Sequence, residues 1–193
     1  MKKRIGIFGG TFNPIHFGHL LNAQFIFDEF KLNKIIFVPA FIPPLKNFKN
    51  NNSLHRIKMI KMAIKKNKNF EFSDFEISQK KISYTIYTLQ YFSKPEIELF
   101  FILGDDWLEK FNQWHRYKEI FNLANLIVMR RKYLKPYLPK FLNKFKNKIF
   151  FASNPIIGIN STLIRERIKN NLSIKYFVPD NVLKYLERHN IYK

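Results

Sequence analysis

The 193-residue chain contains no cysteine, which excludes disulfides and thiolate metal sites and fits a reducing compartment. It contains no apolar run long enough to span a bilayer, and the apolar stretch in its opening MKKRIGIFGG is too short for the core of a secretory signal. A soluble, unprocessed, cytoplasmic protein with no membrane partner is expected. Two familiar phosphate loops, G-x-x-x-x-G-K-[ST] and G-x-G-x-x-G, are also absent. Acidic residues are few, 14 against 34 Lys+Arg, for a net charge of +20. A field of that sign suits a nucleic-acid binder, but it equally suits solvated lysine faces in a chain that overuses Lys throughout. The lysines are spread along the chain without a repeated basic-aromatic pattern, so nucleic acid is not the expected partner, while anionic nucleotides remain compatible.

What is present is core material: 46% hydrophobic residues, with 22 Phe and 9 Tyr. The length suits one domain over residues 1–193, and a homo-oligomer is possible. Short apolar runs read as buried strands: KKRIGIF, KIIFVP, IELFFILG and ANLIVMRR, with FEFSDFEI strand-like as well, while KIFFAS precedes the helix near Ser161 without an assigned structure. Between them lie helical patterns from about Pro14 to Phe30, after Ser53 as a cap with Leu54, Ile57, Ile60 and Ile64 recurring, over SYTIYTLQYF, from about Ser161, and from about Pro179 to His189. The segment 131–147 reads as a basic connection without assigned structure. Alternation of strands and helices implies a doubly wound, mostly parallel α/β sheet, which binds ligands beyond the carboxyl ends of its strands.

IFGGTFNPIHFGHL sits where the first strand ends. Gly9 and Gly10 let backbone N–H groups approach a ligand with no Cβ in the way, and a following helix N-terminus favours phosphate. His16 and His19, three apart, would share one helix face and donate to phosphate oxygens. The same residues also permit a glycine turn, Asn13 as an N-cap with Pro14 in the first turn, and histidines that pack or bind metal, although the segment supplies no further metal ligands. Ser161 and Thr162 offer hydroxyls at a helix start and Arg165 lies one turn on. An ordinary cap with a surface arginine would look the same.

Taken whole, GGTFNPIHFGHL resembles the G-G-T-F-D-P-I-H-x-G-H signature of the nucleotidyltransferase superfamily that carries the H-x-G-H motif, with Asn13 in the usual Asp position. INSTLIRERI resembles the same superfamily's I-S-S-T-x-I-R segment. VPAFIPPLK, with Leu45 for the usual His, together with SYTIYTL, GDDWLEKFNQW, HRIKMIKMA and HNIYK, is similar to nicotinate-nucleotide adenylyltransferases over essentially the entire chain.

That resemblance implies a Rossmann-like fold and adenylyl transfer from ATP to nicotinate mononucleotide, with Mg²⁺ accompanying ATP. It implies ATP contacts from Gly9, Gly10, Thr11, Phe12, His16, His19, Ser161, Thr162 and Arg165, with His16, His19 and Arg165 catalytic. It implies nicotinate mononucleotide contacts from Lys46, Tyr84, Thr85, Asp106, Trp114 and Arg130. By residue chemistry alone, Trp114 fits core packing with Trp107 and Phe111, Lys46 a solvated position, and Asp106 a cap. His55, His115 and His189 read as surface or packing residues.

Overall fold

The structure is a computed structural model that describes residues 2–45, 52–131 and 137–193. Among these residues six strands form one wholly parallel sheet: β1 (Lys3–Gly10), β2 (Lys34–Pro39), β3 (Phe70–Phe72), β4 (Ile97–Gly104), β5 (Ala124–Met129) and β6 (Ile149–Phe151). Their spatial order is β3-β2-β1-β4-β5-β6. The helices are α1 (Phe17–Glu29), α2 (Ser53–Ile64), α3 (Phe75–Ser78), α4 (Thr85–Phe92), α5 (Tyr117–Leu123), α6 (Ser161–Lys169) and α7 (Asp180–Arg188), with 3-10 stretches at Asp105–Gln113 and Lys140–Lys148.

The strands read as continuous apolar runs because both faces of the sheet are covered. Phe8, Ile35, Phe37, Phe100, Ile102 and Ile127 join one buried cluster with Ile26 of α1, Met59 and Ile60 of α2, Ile164 of α6 and Val182 of α7. Their neighbours Ile7, Val38, Leu99, Phe101, Leu103, Leu126 and Val128 join a second cluster with Ile86 and Leu89 of α4 and Ile120 and Phe121 of α5. The chain winds outward from β1 through β2 to β3, then returns to β4 and winds the other way. The reversal lies between β1 and β4, where a doubly wound sheet opens a crevice at its carboxyl edge.

Several local expectations are corrected. Helix α1 begins at Phe17, not near Pro14: the Asn13–Pro14 peptide is cis, and the N-cap is His16 in an extended conformation (φ −150°, ψ 171°). Asn13 therefore caps nothing, and Pro14 lies outside the helix. FEFSDFEI is split because the Phe75 N–H donates to Ser73 Oγ, a turn that ends β3 and starts α3. Ser53 is the first residue of α2, with Asn52 at its N-cap, and the buried face carries Arg56, Met59, Ile60 and Ile64 while Leu54 is 75% exposed. The basic connection contains the 3-10 helix Lys140–Lys148, which buries Leu142. Among the described residues no helix is long and apolar enough to cross a membrane.

Candidate active site

The carboxyl ends of β1 and β4 open into a cavity of about 870 Å³, and a second of about 320 Å³ adjoins it. His16, His19, Met129, Arg131 and Asn160 line both. The histidine pair thus stands in the wall where the two cavities meet.

The pair is built differently from two positions on one helix face. His16 is the N-cap of α1 and His19 its third residue, yet their rings lie 3.7 Å apart at 33°. The His16 backbone N–H donates to His19 Nδ1 at 3.3 Å, so the His19 ring proton belongs on Nε2. His16 is only 2% exposed, and neither of its ring nitrogens has a hydrogen-bond partner among the described residues. Burial, and then the charge of Arg131, push its pKa down to about 3, so the imidazole is neutral. A buried polar ring without a partner among the described residues, set in a cavity wall, is an exception to the rule that buried polar groups are paired.

Close packing sets the glycines of the motif. A Cβ on Gly18 would lie 2.9 Å from His16 Nδ1 and 3.0 Å from the Ile159 carbonyl oxygen. On Gly9 and Gly10, which line the larger cavity, a Cβ would instead press on the rings of Phe101 and Phe12 at 3.3 and 3.0 Å. Phe12 is 1% exposed and does not line either cavity; its ring supports His19 with centroids 4.9 Å apart.

Thr11, Asn160, Ser161, Thr162, Arg165 and Lys169 line the larger cavity. Asn160 caps α6 by accepting from the Leu163 N–H at 2.9 Å, and with Ser161 and Thr162 it places the helix's N-terminus in the cavity wall. Ser161 and Arg165 are engaged in a second task. Ser161 Oγ donates to the Pro14 carbonyl at 2.9 Å, while Arg165 donates to the Asn13 carbonyl at 2.8 Å and to Thr162 Oγ1 at 3.1 Å.

Tyr84, Thr85 and Trp114 also line the larger cavity. Tyr84 is the N-cap of α4, Thr85 its first residue, and the Tyr84 ring rests 4.4 Å from His115. Trp114 lines the cavity and also packs against the core. It packs on Phe111 at 4.9 Å and Phe101 at 5.7 Å, and its buried Nε1 has no hydrogen-bond partner among the described residues. Glu76 is the acidic side chain in this wall; burial raises its pKa, and Thr88 Oγ1 donates to it at 2.5 Å.

Asp106 and Arg130 do not stand with Tyr84 and Trp114 but line the smaller cavity. Asp106 pairs with Arg131 at 3.2 Å, and Gly104 leaves room for that pair, since a Cβ there would push both side chains aside. Arg130 Nε is buried without a partner among the described residues. Lys46 lies outside the described residues.

Sequence reasoning passed over three residues of consequence: Arg131, Arg56 and Asn160. Arg56 is fully buried, with its pKa lowered to about 10 by that burial, and donates to the carbonyls of Thr11 (2.9 Å) and Ala40 (2.7 Å). It ties the exits of β1 and β2 together below the cavity. Composition does not single it out among 34 Lys+Arg; the one signal was its place in HRIKMIKMA, a segment that shares the family resemblance.

Residues 7–167 match the cytidylyltransferase-like family. The chain is 40% identical to a "Probable nicotinate-nucleotide adenylyltransferase" of Caldicellulosiruptor saccharolyticus, covering 98% of this chain and 99% of that one. It is 42% identical to a protein of the same name from Clostridium botulinum, over 99% and 98% of the two chains. The fold also matches Plasmodium falciparum nicotinic acid mononucleotide adenylyltransferase complexed with NaAD, with a TM-score of 0.77 at 20% identity, covering 98% of this chain and 97% of that one.

Proposed function

This chain belongs to the cytidylyltransferase-like family and, by its relatives, to the nicotinate-nucleotide adenylyltransferases, and from that premise we propose that it transfers the adenylyl group of ATP to nicotinate mononucleotide in NAD biosynthesis. An oxygen of the acceptor's 5′-phosphate forms a bond to the α-phosphorus of ATP, and the bond from that phosphorus to the β-phosphate bridging oxygen breaks. The products are nicotinate adenine dinucleotide and pyrophosphate. The nucleophile is ionised at neutral pH, so no general base is needed, and catalysis is alignment plus stabilisation of charge on phosphorus and pyrophosphate.

One observation carries the reading: two cavities meet at a pair of imidazoles. A reaction that joins two nucleotides through their phosphates needs two base pockets with phosphate donors between them. His19 offers Nε2–H, and His16 gains the partner it lacks, with the incoming anion raising its depressed pKa. The N-terminus of α6, with Ser161, Thr162 and Arg165, serves the pyrophosphate end, and the backbone of Gly9, Gly10 and Thr11 the near side. Tyr84, Thr85 and Trp114 supply an aromatic face and a helix N-terminus suited to a flat ring bearing a carboxylate. Asp106 and Arg130, in the smaller cavity, suit the hydroxyls of the adenosine end instead.

Mg²⁺ fits only as part of the nucleotide. Among the described residues no three His, Cys, Asp or Glu gather as ligands, and the two carboxyl groups lining a cavity with the histidine pair, Glu76 and Asp106, are already engaged by Thr88 and by Arg131, short of the several oxygen ligands Mg²⁺ prefers. The ion would screen the triphosphate from within MgATP. We place the reaction in the cytosol, with ATP and nicotinate mononucleotide as the partners.

The test is pyrophosphate release with ATP and, in parallel, nicotinate mononucleotide, nicotinamide mononucleotide or phosphopantetheine. Clear preference for the first is expected, and preference for either of the others overturns the acceptor assignment. In the same assay His19→Ala lowers kcat by roughly two orders of magnitude or more, as loss of one transition-state donor does. Salt-dependent oligonucleotide binding without turnover would instead make the chain a nucleic-acid module.

A further inference from the structure

The loop between β1 and α1 has its carbonyls turned onto side chains. Arg56 takes that of Thr11, Arg165 that of Asn13 and Ser161 that of Pro14. One more bond arrives from the far end of the chain: Tyr192 Oη donates to Asn13 Oδ1 at 2.5 Å. Tyr192 lines the larger cavity beside Asn13, and burial raises its pKa against the opposing charges of Arg165 and Arg56, so the phenol keeps its proton. A protonated phenol whose oxygen feels two guanidinium charges gives its proton to an acceptor, which on Asn13 is Oδ1.

The consequence falls on the other half of the amide. With Oδ1 held by Tyr192, Asn13 Nδ2 has no partner among the described residues, and the side chain is partly exposed in the cavity wall. We propose that Asn13 is a substrate-binding donor, its Nδ2–H₂ directed to a phosphate oxygen of ATP, and that Tyr192 is the positioning residue that fixes this orientation. The proposal rests on the adenylyl-transfer reading and deepens it. An aspartate at this position, the residue suggested by the resembling motif, offers only acceptors when ionised, so here the amide supplies a donor a carboxylate cannot.

The experiment measures binding of a non-hydrolysable ATP analogue by calorimetry, with turnover and melting temperature recorded for each variant. Asn13→Ala weakens analogue binding by roughly tenfold, as loss of one hydrogen bond to a charged group does, and leaves the KM for nicotinate mononucleotide nearly unchanged. Asn13→Asp weakens it further, because a carboxylate then faces the triphosphate. Tyr192→Phe weakens it by less than Asn13→Ala, and adds nothing in the Asn13→Ala background. Analogue binding by Asn13→Asp equal to or tighter than that of the parent overturns the proposal, as does a Tyr192→Phe effect that persists without Asn13. Tyr185→Phe, which removes a comparable tyrosine bond to His55 at the α2–α7 contact, controls for stability and leaves analogue binding intact. A parent protein that binds the analogue but adenylates no pyridine mononucleotide would overturn the acceptor reading while leaving the Asn13 comparison decisive.

Discussion

An imidazole buried with both nitrogens unpartnered resists protonation, and His16 carries that resistance into the stability of the free protein. Its pKa is about 3 folded against 6.5 in its ordinary state, so above 6.5 neither state takes a proton and its contribution is complete. As pH falls from 6.5 towards 3, the unfolded chain binds a proton that the native chain does not, and stability is lost. The slope is about 1.4 kcal/mol per pH unit, so roughly 2 kcal/mol disappears between about pH 6.5 and about pH 5. Urea unfolding across that range should show this loss in the parent and a shallower one in His16→Asn; equal slopes would mean that His16 is not the group responsible. The pairing of His16 with His19 was legible from spacing, but its mechanism was not. An N-cap and a third helical residue bring two rings together as well as two residues on one face do, and a string of letters does not distinguish them. Arg131 was equally hidden, since the neighbouring Arg130 has the same side chain and the choice between them depends on where β5 ends.

At the scale of elements, β2 and β4 have the boundaries their apolar runs suggest, because strands covered on both faces leave an uninterrupted hydrophobic record. The 3-10 helix Asp105–Gln113 left no comparable record. Its buried residues, Leu108 and Phe111, are three apart, and Trp107, Phe111 and Trp114 imitate ordinary helical spacing. The start of α1 was placed too early for a similar reason, since Asn-Pro ahead of an apolar stretch imitates a cap and first turn. Gly18, near the true start, gives a prediction. Helix propensity alone would make Gly18→Ala stabilising by up to about 1 kcal/mol. The new Cβ, however, would press on the His16 ring and on the Ile159 carbonyl at 2.9 and 3.0 Å, and the latter is backbone that cannot rotate aside. Gly18→Ala should therefore destabilise by about 1–3 kcal/mol in urea unfolding and lower kcat by displacing His16. A more stable variant with full activity would refute the close-packing account.

For the whole molecule, the two-sided core and the winding of the sheet were readable from the alternation of elements, and the position of the crevice followed from topology. The meaning of the charge was not readable. Among the described residues the structure brings Arg130, Arg131, Arg165, Lys169 and Lys193 into the cavities, and the other described Lys and Arg do not line them. A net charge of +20 still draws ATP as a field, and that field is screenable. Affinity for the ATP analogue should fall by roughly tenfold as the Debye length shrinks from about 10 Å at 0.1 M salt to about 3 Å at 1 M. Fluorescence titration at both ends of that range checks it, and a salt-independent affinity would assign binding to short-range contacts alone.

The sheet tapers from eight residues in each of β1 and β4 to three in β3 and in β6. A lateral ladder that short gives a neighbouring chain almost nothing to zip onto. A polypeptide with 22 phenylalanines thereby keeps its margins poor templates for fibrous growth, whatever its concentration in the cell.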